Sequence, residues 1–290
     1  MSVIAPESTL TALFLSRLSL NLRHRQVRDD LANSQALHRR VLDAVPQTNR
    51  DGNNLLYRVD PLGESLLNGA VLLVQSQVEP DWSRLPEGYL VASGDYGLEL
   101  ESDGDVPVKD ISASYGGIQA GNLFRFRLRA SPTKRIPWKV FKDAYPIKAA
   151  AREACRPDRA HGKHNGPRVP VTDYSIEQLL WERVHPGEKY VHPETSDQML
   201  QTWLVRKGSD HGFVVADLVI RPDPLTGDMQ RGSKLNAKGD KIDLSHKAIV
   251  FDGVLKVTDL DAFQDALRQG IGSGKAYGFG LLSIRRLRGV

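Results

Sequence analysis

Twice along this 290-residue chain, strand-like and helix-like periodicities follow one another in the order β-α-β-β-α-β, with no sequence repeat to accompany it. That order is a split βαβ unit, which closes as a four-stranded antiparallel sheet with its helices on one face. In the first half the strand runs are Leu10 to Leu20, Leu55 to Val59, Ala70 to Ser76 and Tyr96 to Leu100. Between the first two, Asn33 can cap a helix with Leu37, Val41 and Val45 at four-residue spacing, which Pro46 ends. The polar, Arg-rich stretch Asn21 to Asp30 reads as a loop, and the acidic, Gly-rich stretch Ser102 to Gly121 as a linker or surface loop. In the second half, Leu123 to Arg129, Phe213 to Ile220, Ala248 to Val257 and Phe279 to Ile284 read as strands. Ser175 to Arg183 and Gln198 to Val205 read as helices, with an insertion around Glu182 to Met199. A last helix starts at Thr258-x-x-Asp261, shows Leu260, Phe263 and Leu267 on one face, and is closed by Gly270. The fold expected is α+β, with tandem ferredoxin-like (RRM-like) domains over residues 1–110 and 111–290.

Charge narrows the function. The chain has 39 Lys+Arg against 35 Asp+Glu, a net +4, but the charges come in blocks. Trp82 to Tyr115 holds seven acids against Arg84 and Lys109, whereas Gly121 to Pro170 holds thirteen Lys/Arg and three acids. Such blocks allow a folded chain to gather one sign on one face, as a polyanion site requires. LFRFRLR alternates apolar and Arg without error, so Arg125, Arg127 and Arg129 share one strand face and can line a groove. Lys134, Arg135 and Lys139 continue it, and Lys163 to Arg168 (KHNGPR) can form an arm. The single cysteine, Cys155, excludes an internal disulfide framework and fits a reducing compartment. Apolar runs such as Phe213 to Ile220 are too short to cross a bilayer, and the start lacks signal-peptide features. A soluble, cytoplasmic protein with no membrane partner is expected.

Residues 270–280 read GIGSGKAYGFG. A phosphate loop is excluded because Gln269 stands where its first Gly belongs and Ala276 follows Lys275 in place of Ser or Thr. A dinucleotide fingerprint is excluded because too little chain remains for the βαβ unit that must follow. Glycines such as Gly272 and Gly274 let backbone approach a phosphate, while Lys275 adds charge and Tyr277 a stacking plane. A tight connection between helix and edge strand explains the same residues. His161-x-x-His164 with Cys155, His185 and His192 lacks a paired Cys-x-x-Cys, so neither a metal nor another cofactor is expected.

The stretch VFDGVLKVTDLDAFQDALRQGIGSGKAYGFGLLSI, Val250 to Ile284, closely resembles the C-terminus of the Cas6e (CasE, Cse3) family, the CRISPR repeat-processing endoribonucleases of type I-E systems within the RAMP superfamily. FRFRLRASPTKR, Phe124 to Arg135, is similar to the family's FRLRANPTKR, with Ser131 where Asn is usual. LFLSRLSLNLRHRQVRDDLANSQALHRRVL, Leu13 to Leu42, resembles the family's start. The resemblance implies a metal-independent cut at the base of a repeat stem-loop by attack of a ribose 2′-OH, after which the protein stays on the RNA with the other Cascade subunits. It assigns the catalytic histidine to His38 and RNA contacts to Arg39, the basic strand and loop (Arg125, Arg127, Arg129, Lys134, Arg135, Lys163, Arg168) and the glycine loop (Gly272, Gly274, Lys275, Tyr277). The family's tyrosine three residues before the histidine is here Gln35, which joins His38 in the expected catalytic site by hydrogen-bonding a phosphate or hydroxyl but transfers no proton. His24 in the preceding loop reads either as a solvated loop histidine or as a helper. The alternative expectation is a non-catalytic RAMP subunit that binds a stem-loop or coats RNA.

Overall fold

A computed structural model of the chain describes residues 12–45, 55–62, 69–91, 108–154, 165–226, 229–235 and 241–287. The first half runs β1 (Phe14–Leu20), α1 (Arg25–Ala32), α2 (Ser34–Asp43), β2 (Leu56–Pro61), β3 (Ala70–Ser76), β4 (Val108–Asp110) and the short α3 (Ser112–Gly116). Its sheet has the order β2-β3-β1-β4, every pair antiparallel, which is the ferredoxin-like order. Alternation in β1 and β3 sends Leu18, Leu20, Leu72 and Val74 to the same core as Val27, Leu37 and Val41 of the two helices. The helices belong to this sheet because one apolar stripe on each meets one sheet face.

Two expectations are corrected here. The stretch read as a polar loop holds α1, whose apolar signal is little more than Val27 and the part-buried Leu31. Its buried Asp30 accepts hydrogen bonds from Arg40 Nε and Tyr89 Oη, both at 2.9 Å, so a carboxylate does the pinning that further leucines would otherwise do. The supposed linker supplies β4, which pairs with β1, and then α3, because Ile111, Tyr115 and Ile118 are buried despite the acidic surroundings. The expected strand Tyr96 to Leu100 lies outside the described residues.

The second half opens with β5 (Leu123–Ala130), then β6 (Thr133–Pro137), α4 (Trp138–Ala144), α5 (Pro146–Ala154), β7 (Asn165–Pro170), α6 (Ser175–Val184) and α7 (Ser196–Asp210). It ends with β8 (Phe213–Pro222), the hairpin β9 (Met229–Leu235) and β10 (Lys241–Lys247), β11 (Ile249–Val257), α8 (Leu260–Gln269) and β12 (Leu282–Arg286). The order β12-β5-β11-β8, again antiparallel throughout, repeats the first sheet's order. The fold is tandem ferredoxin-like. Helix α8 starts one residue later than expected, since Asp259 rather than Thr258 caps it by accepting from Ala262 N at 3.1 Å. The last strand starts at Leu282, because Phe279 to Leu281 close the preceding loop.

The chain divides into one compact unit of residues 1–131 with 207–290 and another of 132–206. Both four-stranded sheets belong to the first. The second is the antiparallel β6–β7 hairpin with α4, α5, α6 and most of α7, and it holds the cluster Ile136, Phe141, Ala144, Ala149 and Ile176.

Candidate active site

Helix α2 carries the histidine. Asn33 breaks the chain out of α1 in an extended conformation, and its side chain accepts the Gln35 amide hydrogen at 3.1 Å, which fixes the first turn. Leu37 and Val41 face the core, Arg39 faces solvent, and His38 lies between, half-buried. The His38 ring lies over Tyr57 of β2, planes within 19° and centroids 6.2 Å apart. Its Nδ1 is buried, with no hydrogen-bond partner among the described residues. Burial pulls the imidazole below its ordinary value of 6.5, so at neutral pH it is uncharged and able to accept a proton. Gln35 is half-buried, and its carbonyl accepts a 3.4 Å hydrogen bond from Arg39 Nε.

The glycine-rich loop meets this helix. Gly270, Gly272, Gly274, Gly278 and Gly280 all have positive φ, which favours glycine at each, and Gly274 and Gly278 are left-handed corners on either side of a short turn. Ile271 and Phe279 are fully buried anchors. Gly280 N donates to Arg129 O at 2.8 Å, and Ile271 N to Gly280 O at 2.9 Å, which fastens the loop to the end of β5. A 3₁₀ turn, Lys275–Tyr277, then packs on α2, and Tyr57 Oη donates to Ala276 O at 2.9 Å. A Cβ at Gly278 would sit 3.0 Å from Tyr57 Cε2, so the glycine allows the loop to touch that ring. Lys275 is half-buried and its ammonium is pulled below the usual lysine range by desolvation. Beyond the turn, Tyr277 lies 4.8 Å from His246 of β10, whose ring Nε2 is likewise buried and unpartnered among the described residues.

The Arg row is not uniform. Arg129 leaves the exposed face: it is buried, paired with Asp223 at 2.9 Å, bonded to Gly278 O at 3.1 Å and seated over Phe279. It is a strut under the glycine loop. Arg127 and Arg221 share Asp252, and Arg58 is held by Asp60 at 2.9 Å. Arg125 stands directly opposite Arg285 of β12, and neither has a carboxylate partner among the described residues. These side chains line an open groove of about 790 Å³ on the second sheet. Lys134, Arg135 and Arg168 lie on the hairpin of the other unit, Lys134 paired with Glu177 at 2.9 Å and Arg135 facing Arg168 across the strands. Lys163, with Cys155, His161 and His164, lies outside the described residues. His185 stacks on Trp181, His192 Nδ1 accepts from Glu194 N, and His24 sits beside Tyr89. No group of three metal-ligating side chains occurs among the described residues, nor does any helix long and apolar enough to cross a membrane.

The structure thus gathers His38, Gln35, Arg39, Lys275 and Tyr277 around α2 and the loop, and adds Tyr57, His246 and Asp223, which the sequence reading passed over. Tyr57 had a signal: a hydroxyl inside the apolar run LLYRV must find a partner.

A family model described as CRISPR associated protein matches residues 13–286. The CRISPR-associated endoribonuclease Cse3 of Thermus thermophilus is 30% identical over 279 residues, covering 94% of this chain and 99% of that protein. The structure of Thermus thermophilus Cse3 bound to an RNA representing a pre-cleavage complex matches with TM-score 0.60 at 28% identity, over 94% of this chain and 99% of that one. Another structure of the endoribonuclease Cse3, bound to a 19 nt RNA, matches with TM-score 0.61 at 27% identity and the same coverage. With the match running from β1 to β12 through both sheets and the loop between them and α2, the chain belongs to the CRISPR-associated protein family.

Proposed function

We propose that this chain is a metal-independent endoribonuclease that cuts the stem-loops of CRISPR repeat transcripts and then stays on the product as a subunit of the interference complex. The observation that carries the reading is His38, a neutral, half-buried imidazole in the second turn of α2, the helix on which the turn of the glycine loop packs. The names of the relatives, an endoribonuclease and its pre-cleavage RNA complex, support it. His38 accepts the ribose 2′-OH proton, the O2′–P bond forms, and the P–O5′ bond breaks as the departing oxygen takes up a proton. The products carry a 2′,3′-cyclic phosphate and a 5′-hydroxyl. The positive end of the α2 dipole, about one turn before His38, favours phosphate charge there. Arg39, Lys275 and Tyr277 serve the RNA beside the cut, and Arg125 and Arg127 serve it in the groove. Lys134, Arg135, Lys163 and Arg168 serve it on the basic insertion. Gly272 and Gly274 shape the loop, and Arg129 acts from beneath it. The reading includes ferredoxin-like domains at 1–110 and 111–290, supported by strand membership, and a cytoplasmic site of action.

Gln35 in the family's tyrosine position favours a second reading, a stem-loop binder that does not cut. Host repeat RNA in chelator separates the two. Cleavage that is slowed roughly 10²–10⁴-fold by His38→Ala, the usual worth of a general base, and abolished by one 2′-deoxy sugar at the cut supports the enzyme. Tight hairpin binding without cleavage supports the binder.

A further inference from the structure

A histidine that moves protons is ordinarily oriented by a hydrogen bond on its second ring nitrogen. His38 has none: Nδ1 is buried and unpartnered among the described residues. What meets the imidazole is the flat face of Tyr57. We propose that Tyr57 is the positioning residue for His38, its ring fixing the imidazole and its hydroxyl fixing the glycine loop against it. The proposal rests on the reading of His38 as the proton acceptor.

The two halves of the side chain have separate partners. Tyr57 is 1% exposed, its ring near-parallel to His38 and its Cε2 edge against Gly278. A near-parallel offset contact restricts imidazole rotation, and Tyr57 is one of the groups among which His38 is desolvated. The hydroxyl spends its only proton on Ala276 O at 2.9 Å, with Ser34 O at 3.5 Å as a weaker second acceptor. One phenol therefore touches the first turn of α2 and the 3₁₀ turn of the loop. Burial raises this hydroxyl far above its ordinary range, so it works as a fixed donor and takes no part in proton exchange with the substrate.

The test is single-turnover cleavage of repeat RNA over a range of RNA concentration and pH, with Tyr57→Phe, Tyr57→Trp and Tyr57→Leu beside His38→Ala. Tyr57→Phe keeps the ring, so the acid limb stays as in the parent while the RNA concentration for half-maximal rate rises. Tyr57→Leu removes the ring face, so the saturating rate falls at least about tenfold, within the range a misplaced catalytic group costs. Its acid limb moves up toward 6.5 as water reaches the imidazole. Tyr57→Trp restores the rate. Titration of the His38 ring by NMR in Tyr57→Phe and Tyr57→Trp gives the same comparison without activity. Should Tyr57→Leu fail to fold, an unchanged half-maximal RNA concentration in Tyr57→Phe overturns the hydroxyl's part. A Tyr57→Trp protein whose His38 titrates at the ordinary value with undiminished rate overturns the ring's part. If His38→Ala cuts as fast as the parent, the proposed function falls instead.

Discussion

At the scale of single residues, the proton acceptor is made by its surroundings. His38 is neutral because it is desolvated, so a base of this kind works below the ordinary imidazole range. The expected pH–rate profile therefore has its acid limb below 6.5, and a single-turnover series from pH 5 to 8 checks it. Protonation stops catalysis as pH falls through the lowered value, and not before. Gln35→Ala is expected to cost far less than His38→Ala in the same assay, because an amide holds but does not transfer protons. Gly278→Ala sets a Cβ against Tyr57 at 3.0 Å at φ +78, so it strains the loop and displaces the ring together. It is expected to lose cleavage at RNA concentrations that still give full binding.

At the scale of elements, alternation and caps determine what folds, and pairing determines what meets. The Arg125–Arg285 juxtaposition places like charges directly across two strands, which disfavours the free protein and favours an anion between them. Arg285→Ala is accordingly expected to weaken RNA binding and flatten its salt dependence by about 0.7–0.9 in slope for each phosphate it no longer neutralises, without lowering the melting temperature of the free protein. Filter binding across a salt series and a thermal melt check the two halves. The β5 strand, the Asn33 cap and the Gly270 stop were legible in sequence because each is a local signal. Helix α1 and strand β4 were not, since one is pinned by a buried carboxylate and the other is too short for any period to show. The exposed Arg row was half legible: alternation gives the face, but only tertiary pairing shows that Asp223 withdraws Arg129 from it. Tyr57 meeting Ala276 lies beyond sequence reading altogether, because the partners are 219 positions apart.

At the scale of the whole molecule, burial of neutral imidazoles sets the acid limit. His38, His211 and His246 are all pulled below 6.5, chiefly by desolvation, so the unfolded chain binds their protons more readily than the folded one. Their contribution is complete above 6.5 and is lost as pH falls through the lowered values. Urea midpoints at pH 7.5 and 5.5 are expected to show the loss. The strand order of the second sheet has a consequence for synthesis. Strand β5 ends at Ala130, but its two neighbours begin only at Ile249 and Leu282, so on the ribosome it waits unpaired while the intervening chain is made. An apolar edge waiting that long invites pairing with another nascent chain. Its arginines, alternating with Phe124, Phe126 and Leu128, are charges of the kind that keep such a strand apart from its like until its own partners arrive.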